Sequence, residues 1–252
     1  FGERIYDPRL GKWLSVDPLQ IKYPGWSPYH FGFCSPIITI DSDGRENVIV
    51  IGGVDIKQND RYKFINSGIG QAFRTAVSEQ GEQTTLVLIT ANMTELEILE
   101  VQRSVNAGNA SGAQHVDLVI VNSAGELANY MNSKTTTSSD LSPARTEDKI
   151  TNIAVYGHGV PGEMAFGYDY DHTKRSDEEE ETGFGSDEIS KLNPGAFDKA
   201  EICLYNCNTA TDQDGVNIAK DLSKQTKSRV EGYEGTTNYR NIYSVWNRIM
   251  FK

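Results

Sequence analysis

Two stretches of the chain carry the residue types of thiol chemistry. "IAVYGHGVPGEMAFG" (residues 153–167) runs an apolar strand into the pair His158-Gly159, and "AEICLYNCNTAT" (residues 200–211) runs a second apolar strand into Cys207. An imidazole near neutrality takes the proton of a thiol, and the sulfur then attacks an acyl carbon. Gly159 lets a substrate carbonyl come close, and its N–H, with that of Cys207, can hold a developing oxyanion. Against this stands a plainer reading, in which a strand-end histidine and a buried cysteine serve only packing. Cys203 lies inside the second strand and reads as core, whereas His115 and His172 fall in polar or loop contexts and take no role.

A histidine and a cysteine at two strand ends can meet only if the strands are neighbours with the same direction. Residues 47–53, 84–90, 116–122, 150–157 and 200–206 are near-continuous apolar runs, the pattern of parallel strands covered on both faces. Between them, residues 69–80, 95–105, 124–133 and 215–226 read as helices. Alternating strands and helices predict an α/β three-layer sandwich with a mainly parallel sheet. In such sheets functional residues gather in the crevice at the carboxyl ends of the strands, where His158 and Cys207 fall. Residues 134–148 form a polar loop and residues 169–188 an acidic insertion. The insertion reads as a solvated, mobile loop or as a flap over the site, and its charge suggests a taste for Arg or Lys in a target.

With 252 residues the chain is long enough for a substantial core. It carries 35 acidic against 24 basic residues, a net charge of -11, which repels a phosphate backbone and argues against nucleic acid as partner. No apolar run approaches the ~18 residues of a membrane helix, so no membrane span is expected. Cys34, Cys203 and Cys207 make neither a disulfide framework nor a zinc site with the four scattered histidines, so neither metal nor cofactor is expected. The sequence has no G-x-S-x-G elbow, Walker loop or zinc motif, which weakens other hydrolase readings. It opens on Phe1, which suggests a piece of a longer protein.

The first 45 residues have a different texture, dense in aromatics, Pro, Gly and Asp, and predict short strands and tight turns. "YDPRLGKWLSVDPL" (residues 6–19), "YPGWSPYHF" and "SPIITIDSDGR" resemble the end of the RHS repeat-associated core, which closes the β-shell of RHS polymorphic toxins. The resemblance implies that residues 1–45 end such a core and that residues 46–252 are its C-terminal toxin. It also implies an aspartyl autoproteolytic junction at Asp41 and Asp43, although Ser42 replaces the usual proline and Arg45 stands where cleaving members have leucine. The alternative is that the two aspartates only shape a turn beside Gly44.

The toxin part has a second likeness. "GHGVPGEMAFG", "LYNCNTA", "GVNIAKDLSKQTKSRVEG" and "SVWNRIMF" resemble the caspase-like (clan CD) cysteine peptidases. The closer likeness is to a caspase-related domain of unannotated function in large bacterial surface proteins. The likeness to the peptidases implies a caspase-like fold with a His158/Cys207 dyad and a Gly159 oxyanion N–H, acting as a cysteine endopeptidase, whereas the closer likeness implies the fold. The alternative is a non-catalytic caspase-fold module that binds a target or an immunity protein. Together the resemblances imply a secreted effector of interbacterial competition, delivered into a target cell as part of a larger bacterial protein. Its partners would be a protein substrate there, a cognate immunity protein and the parent RHS β-shell.

Overall fold

The computed structural model describes residues 45–55, 61–79, 81–111, 114–137, 145, 148–168, 181–237 and 248–251, and the backbone of residues 6–7 and 12–13. The chain divides into two compact units, Phe1–Asp43 and Gly44–Lys252. In the first, β1 (Tyr6–Asp7) pairs antiparallel with β2 (Lys12–Trp13), Tyr6 opposite Trp13. The junction aspartates Asp41 and Asp43, His172 and residues 169–180 of the acidic insertion lie outside the described residues.

The second unit is an α/β three-layer sandwich. Its elements run β3 (Arg45–Gly52), α1 (Lys63–Ser78), β4 (Gln83–Ile89), α2 (Glu95–Ser111), β5 (Asp117–Val121), α3 (Ala124–Ser133) and β6 (Lys149–Tyr156). There follow a two-residue ribbon, β7 (Met164–Ala165) with β8 (Gly183–Phe184), then α4 (Ser186–Ser190), β9 (Phe197–Leu204), α5 (Ile218–Thr226), β10 (Arg229–Tyr233) and β11 (Arg248–Phe251). The main sheet has the order β11-β10-β9-β6-β3-β4-β5, parallel throughout except for the antiparallel β11. Strand order reverses between β3 and β6, which makes that junction the switch point where such sheets open a crevice.

Alternation along each buried strand separates two cores. Val48, Val50, Val87, Ile89, Ile153 and Val155 face Leu127 and Met131 of α3, Ile189 of α4 and Leu222 of α5. Ile49, Ile51, Leu86, Leu88 and Tyr156 face Phe64 and Ala72 of α1 and Val101 and Val105 of α2. Because both faces are covered, the strands read as unbroken apolar runs. Local signals set the helix starts. Thr94 and Glu97 form a reciprocal capping box, with Thr94 N–H donating to Glu97 at 2.8 Å and Glu97 N–H to the Thr94 hydroxyl at 3.3 Å. Ser123 caps α3 and Asn217 caps α5 through their side-chain oxygens.

Three differences from the sequence expectation have physical causes. Helix α1 starts at Lys63, not at residue 69, because Phe64 and Ile65 are themselves core residues. Strand β10 was not anticipated: its run is five residues long and polar at alternate positions, so only pairing with β9 and β11 makes it a strand. The acidic insertion ends sooner than its charge suggests. Thr182 and Phe184 are buried, Phe184 lies in the core, and Ser186–Ser190 is helical, so residues 181–188 belong to the fold and not to a solvated loop.

At the amino edge of the sheet sits a fully buried ion pair. Glu46 meets the Arg145 guanidinium and accepts from the hydroxyls of Tyr130 at 2.6 Å and Thr85 at 2.5 Å. Arg145 also donates to the carbonyls of Met131, Asp148 and Tyr130 at 2.8–2.9 Å, tying the segment before β6 to α3. Every side-chain nitrogen and oxygen of the pair is engaged, so removing one partner strands the other charge in a dry site. Arg145→Ala is expected to cost about 3–5 kcal/mol in guanidinium unfolding. Glu46→Gln, which keeps an acceptor for Tyr130 and Thr85 but strands the Arg145 guanidinium, should cost a comparable amount; a loss below about 1 kcal/mol would show that charge pairing is not what matters there.

Candidate functional site

Three parallel strand ends meet at the carboxyl edge. In register, Ile51 of β3 lies beside Tyr156 of β6, and Val155 of β6 beside Leu204 of β9. The chain leaves β3 through Gly53 (φ +62°), where a Cβ would stand 2.4 Å from the Ala91 carbonyl oxygen, so only glycine suits the turn. Two residues on is Asp55, fully buried. Past β6 is His158 and past β9 is Cys207.

The loops that carry His158 and Cys207 are stitched together. Asn206, fully buried, donates from Nδ2 to the His158 carbonyl at 2.8 Å, and Asn208 Nδ2 donates to the Gly159 carbonyl at 3.4 Å. Gly159 packs directly on the cysteine backbone: a Cβ there would meet the Cys207 carbonyl oxygen at 2.2 Å and its nitrogen at 3.1 Å. The glycine is therefore what allows the two loops to touch. Among the described residues, the N–H groups of Gly159 and Cys207 have no acceptor.

His158 is nearly buried. Its ring meets Phe64 edge-on at 4.9 Å and Tyr168 at 5.2 Å, and its Nε2 lies 3.7 Å from Asp55 Oδ1. The other oxygen of Asp55 pairs with Lys63 Nζ at 2.5 Å. Burial, and then the Lys63 ammonium, push the imidazole down to about 4, against the opposite pull of Asp55. Burial outweighs the pull of the Asp55 carboxylate, which Lys63 partly balances, and this is why Asp55 does not charge the ring. At neutral pH the imidazole is a free base.

Cys207 is half-buried, and its sulfur lies 3.2 Å from the Thr237 N–H and 3.3 Å from the Thr237 hydroxyl. Cys203 differs: burial, followed by Glu231 and Glu201, pushes its thiol up to about 11, the behaviour of an inert core thiol. His115 is exposed and contacts Asp117 at 3.1 Å, far along the chain from the crevice residues. Among the described residues no cluster of His, Cys, Asp and Glu could hold a metal, and no helix is long and apolar enough to cross a membrane.

The sequence reading missed Asp55, Lys63 and Thr237. Asp55 closes the run "GGVD" just past the first strand, a position that parallel order would have marked as the same edge; for Lys63 and Thr237 the sequence carries no signal.

Sheet order, parallel register and the paired loops define an α/β protein in which the loops bearing His158 and Cys207 meet at the carboxyl edge of the sheet. The chain belongs to the family described as domain of unknown function DUF4347, which matches residues 110–247, more than half of its length. The matched segment holds His158, Gly159, Cys207 and Thr237 but begins after Asp55 and Lys63. It identifies neither an RHS core nor a caspase-type peptidase. Among curated proteins and among solved structures, none matches the chain.

His158 gives a pH signature. Its folded value of about 4 lies below the 6.5 of an unperturbed histidine, so the unfolded chain binds the proton first. The stabilisation is full above about pH 6.5 and is lost as pH falls toward about 4, by about 3 kcal/mol. His158→Gln should flatten the fall in melting temperature across that window. A wild-type His158 proton resonance titrating near 6.5 would contradict the burial argument.

Proposed function

We propose that the chain is the C-terminal toxin portion of an RHS polymorphic toxin and acts as a caspase-like cysteine endopeptidase. The observation that carries this reading is the contact of the two loops, with Gly159 seated on the Cys207 backbone and His158 held beside it at the carboxyl edge of adjacent parallel strands. The RHS part rests on the motifs of residues 6–45.

In the proposed reaction the Cys207 sulfur attacks the carbonyl carbon of a peptide bond while its proton passes to His158. The imidazole is neutral beforehand and weakly basic, so the proton moves as the C–S bond forms and not in advance. The imidazolium that results lies beside Asp55, whose carboxylate compensates the new charge. A proton on Nε2, toward Asp55, makes Nδ1 the accepting nitrogen. The oxyanion is held by the N–H groups of Gly159 and Cys207. His158 returns the proton to the leaving amine as the C–N bond breaks. It then takes one from the water that hydrolyses the thioester, freeing a carboxylic acid and the thiol.

One observation favours the second reading, a non-catalytic module that binds a target or an immunity protein: the sulfur's hydrogen bonds run to Thr237, beyond the next strand, and not to His158. Expression of the full chain in a bacterial host separates the two. Cys207→Ala and His158→Ala should abolish toxicity, and Asp55→Asn should weaken it, by roughly the 10²–10⁴-fold that acid–base participation supplies. Toxicity that survives Cys207→Ala would leave the binding module.

A further inference from the structure

Thr237 lies just past β10, the strand that flanks β9 on the side away from β6. Its backbone N–H donates to the Cys207 sulfur at 3.2 Å, and its hydroxyl oxygen is 3.3 Å from the same sulfur and 3.2 Å from the Tyr205 carbonyl, to which it donates. The turn that presents it is set independently of these contacts. Asn208 N–H donates to the Gly235 carbonyl at 2.7 Å, Ala210 N–H to the Tyr233 carbonyl at 3.0 Å, and Gly235 N–H to the Thr211 hydroxyl at 3.3 Å. The loops after β9 and β10 are thus laced together before Thr237 reaches the sulfur.

A threonine hydroxyl has one proton and two lone pairs. While it donates to Tyr205, a lone pair can accept the S–H proton of Cys207. Once that proton has left the sulfur, rotation about the Cβ–Oγ bond turns the hydroxyl proton onto the sulfur, and no heavy atom moves. The anion then has two donors, the N–H and the O–H, and hydrogen bonds to an ionised acceptor are the strong ones. We propose that Thr237 is the positioning residue of Cys207: it sets the direction of the sulfur and stabilises the negative charge that develops on it as its proton leaves. This rests on the reading of Cys207 as the nucleophile, and it adds a third strand end, that of β10, to the two that carry His158 and Cys207.

The test reads the sulfur directly. The full chain is treated with iodoacetamide at about pH 7.5, where the thiolate is the reacting form, and modification of Cys207 is followed by peptide mass. Thr237→Val keeps the shape and the N–H but removes the hydroxyl, and should slow alkylation about fivefold or more; Thr237→Ser, which keeps the hydroxyl, should stay within about twofold of wild type. Should the valine variant lose its melting transition, Thr237→Ala gives the same comparison without a second methyl in the loop. An alkylation rate unchanged or raised without the hydroxyl, or lost equally with serine, overturns the assignment. The readout needs no peptide hydrolysis. Toxicity that survives Cys207→Ala would remove the peptidase proposal and leave this result standing, whereas an unchanged rate in Thr237→Val would remove Thr237 alone.

Discussion

Parallel pairing of β6 with β3 on one side and β9 on the other is the constraint on which the rest of the site depends. It brings the exits of three strands to one edge, so that Asp55, His158 and Cys207, widely separated along the chain, leave the sheet side by side. Adjacent strand ends would ordinarily splay. Here Gly159 removes the side chain that would hold the loops apart, and Asn206 and Asn208 close the gap with amide hydrogen bonds. The edge is consequently a packed seam and not an open fork.

Charge is distributed along the sheet in opposite ways at its two ends. At the amino edge, Glu46 and Arg145 are buried with every polar atom engaged, an arrangement that ties the starts of β3 and β4 to α3 and to the segment before β6. At the carboxyl edge, Asp55 divides its two oxygens between the Lys63 ammonium and the His158 imidazole. The lysine neutralises the carboxylate at rest, and burial keeps the ring uncharged, so the edge stores no net charge until a proton arrives. A carboxylate already in place then offsets the cost of charging a buried imidazole.

Membership in DUF4347 covers the part of the chain that builds the His158 and Cys207 loops and the Thr237 turn. The first two strands of the sandwich, α1 and the Asp55–Lys63 pair precede that segment, yet β3 is the strand against which β6 is registered. The site is thus assembled from the matched segment and from the part of the unit that comes before it.

The sequence by itself determined the class of fold, the existence of five strands (β3, β4, β5, β6 and β9) and the two strand-end positions of His158 and Cys207. Those features are local: an apolar run of strand length, a capping residue and a glycine after a histidine can each be read within a window of a few residues. Tertiary structure alone decided which strand lies beside which, and with that everything requiring distant residues to meet. Asp55 reaches His158, Thr237 reaches Cys207 and Arg145 reaches Glu46 only because the sheet order places them together. Phe184 was hidden for the complementary reason. An acidic run beside it suggested solvent, and only the core that receives the ring shows that this end of the insertion is buried.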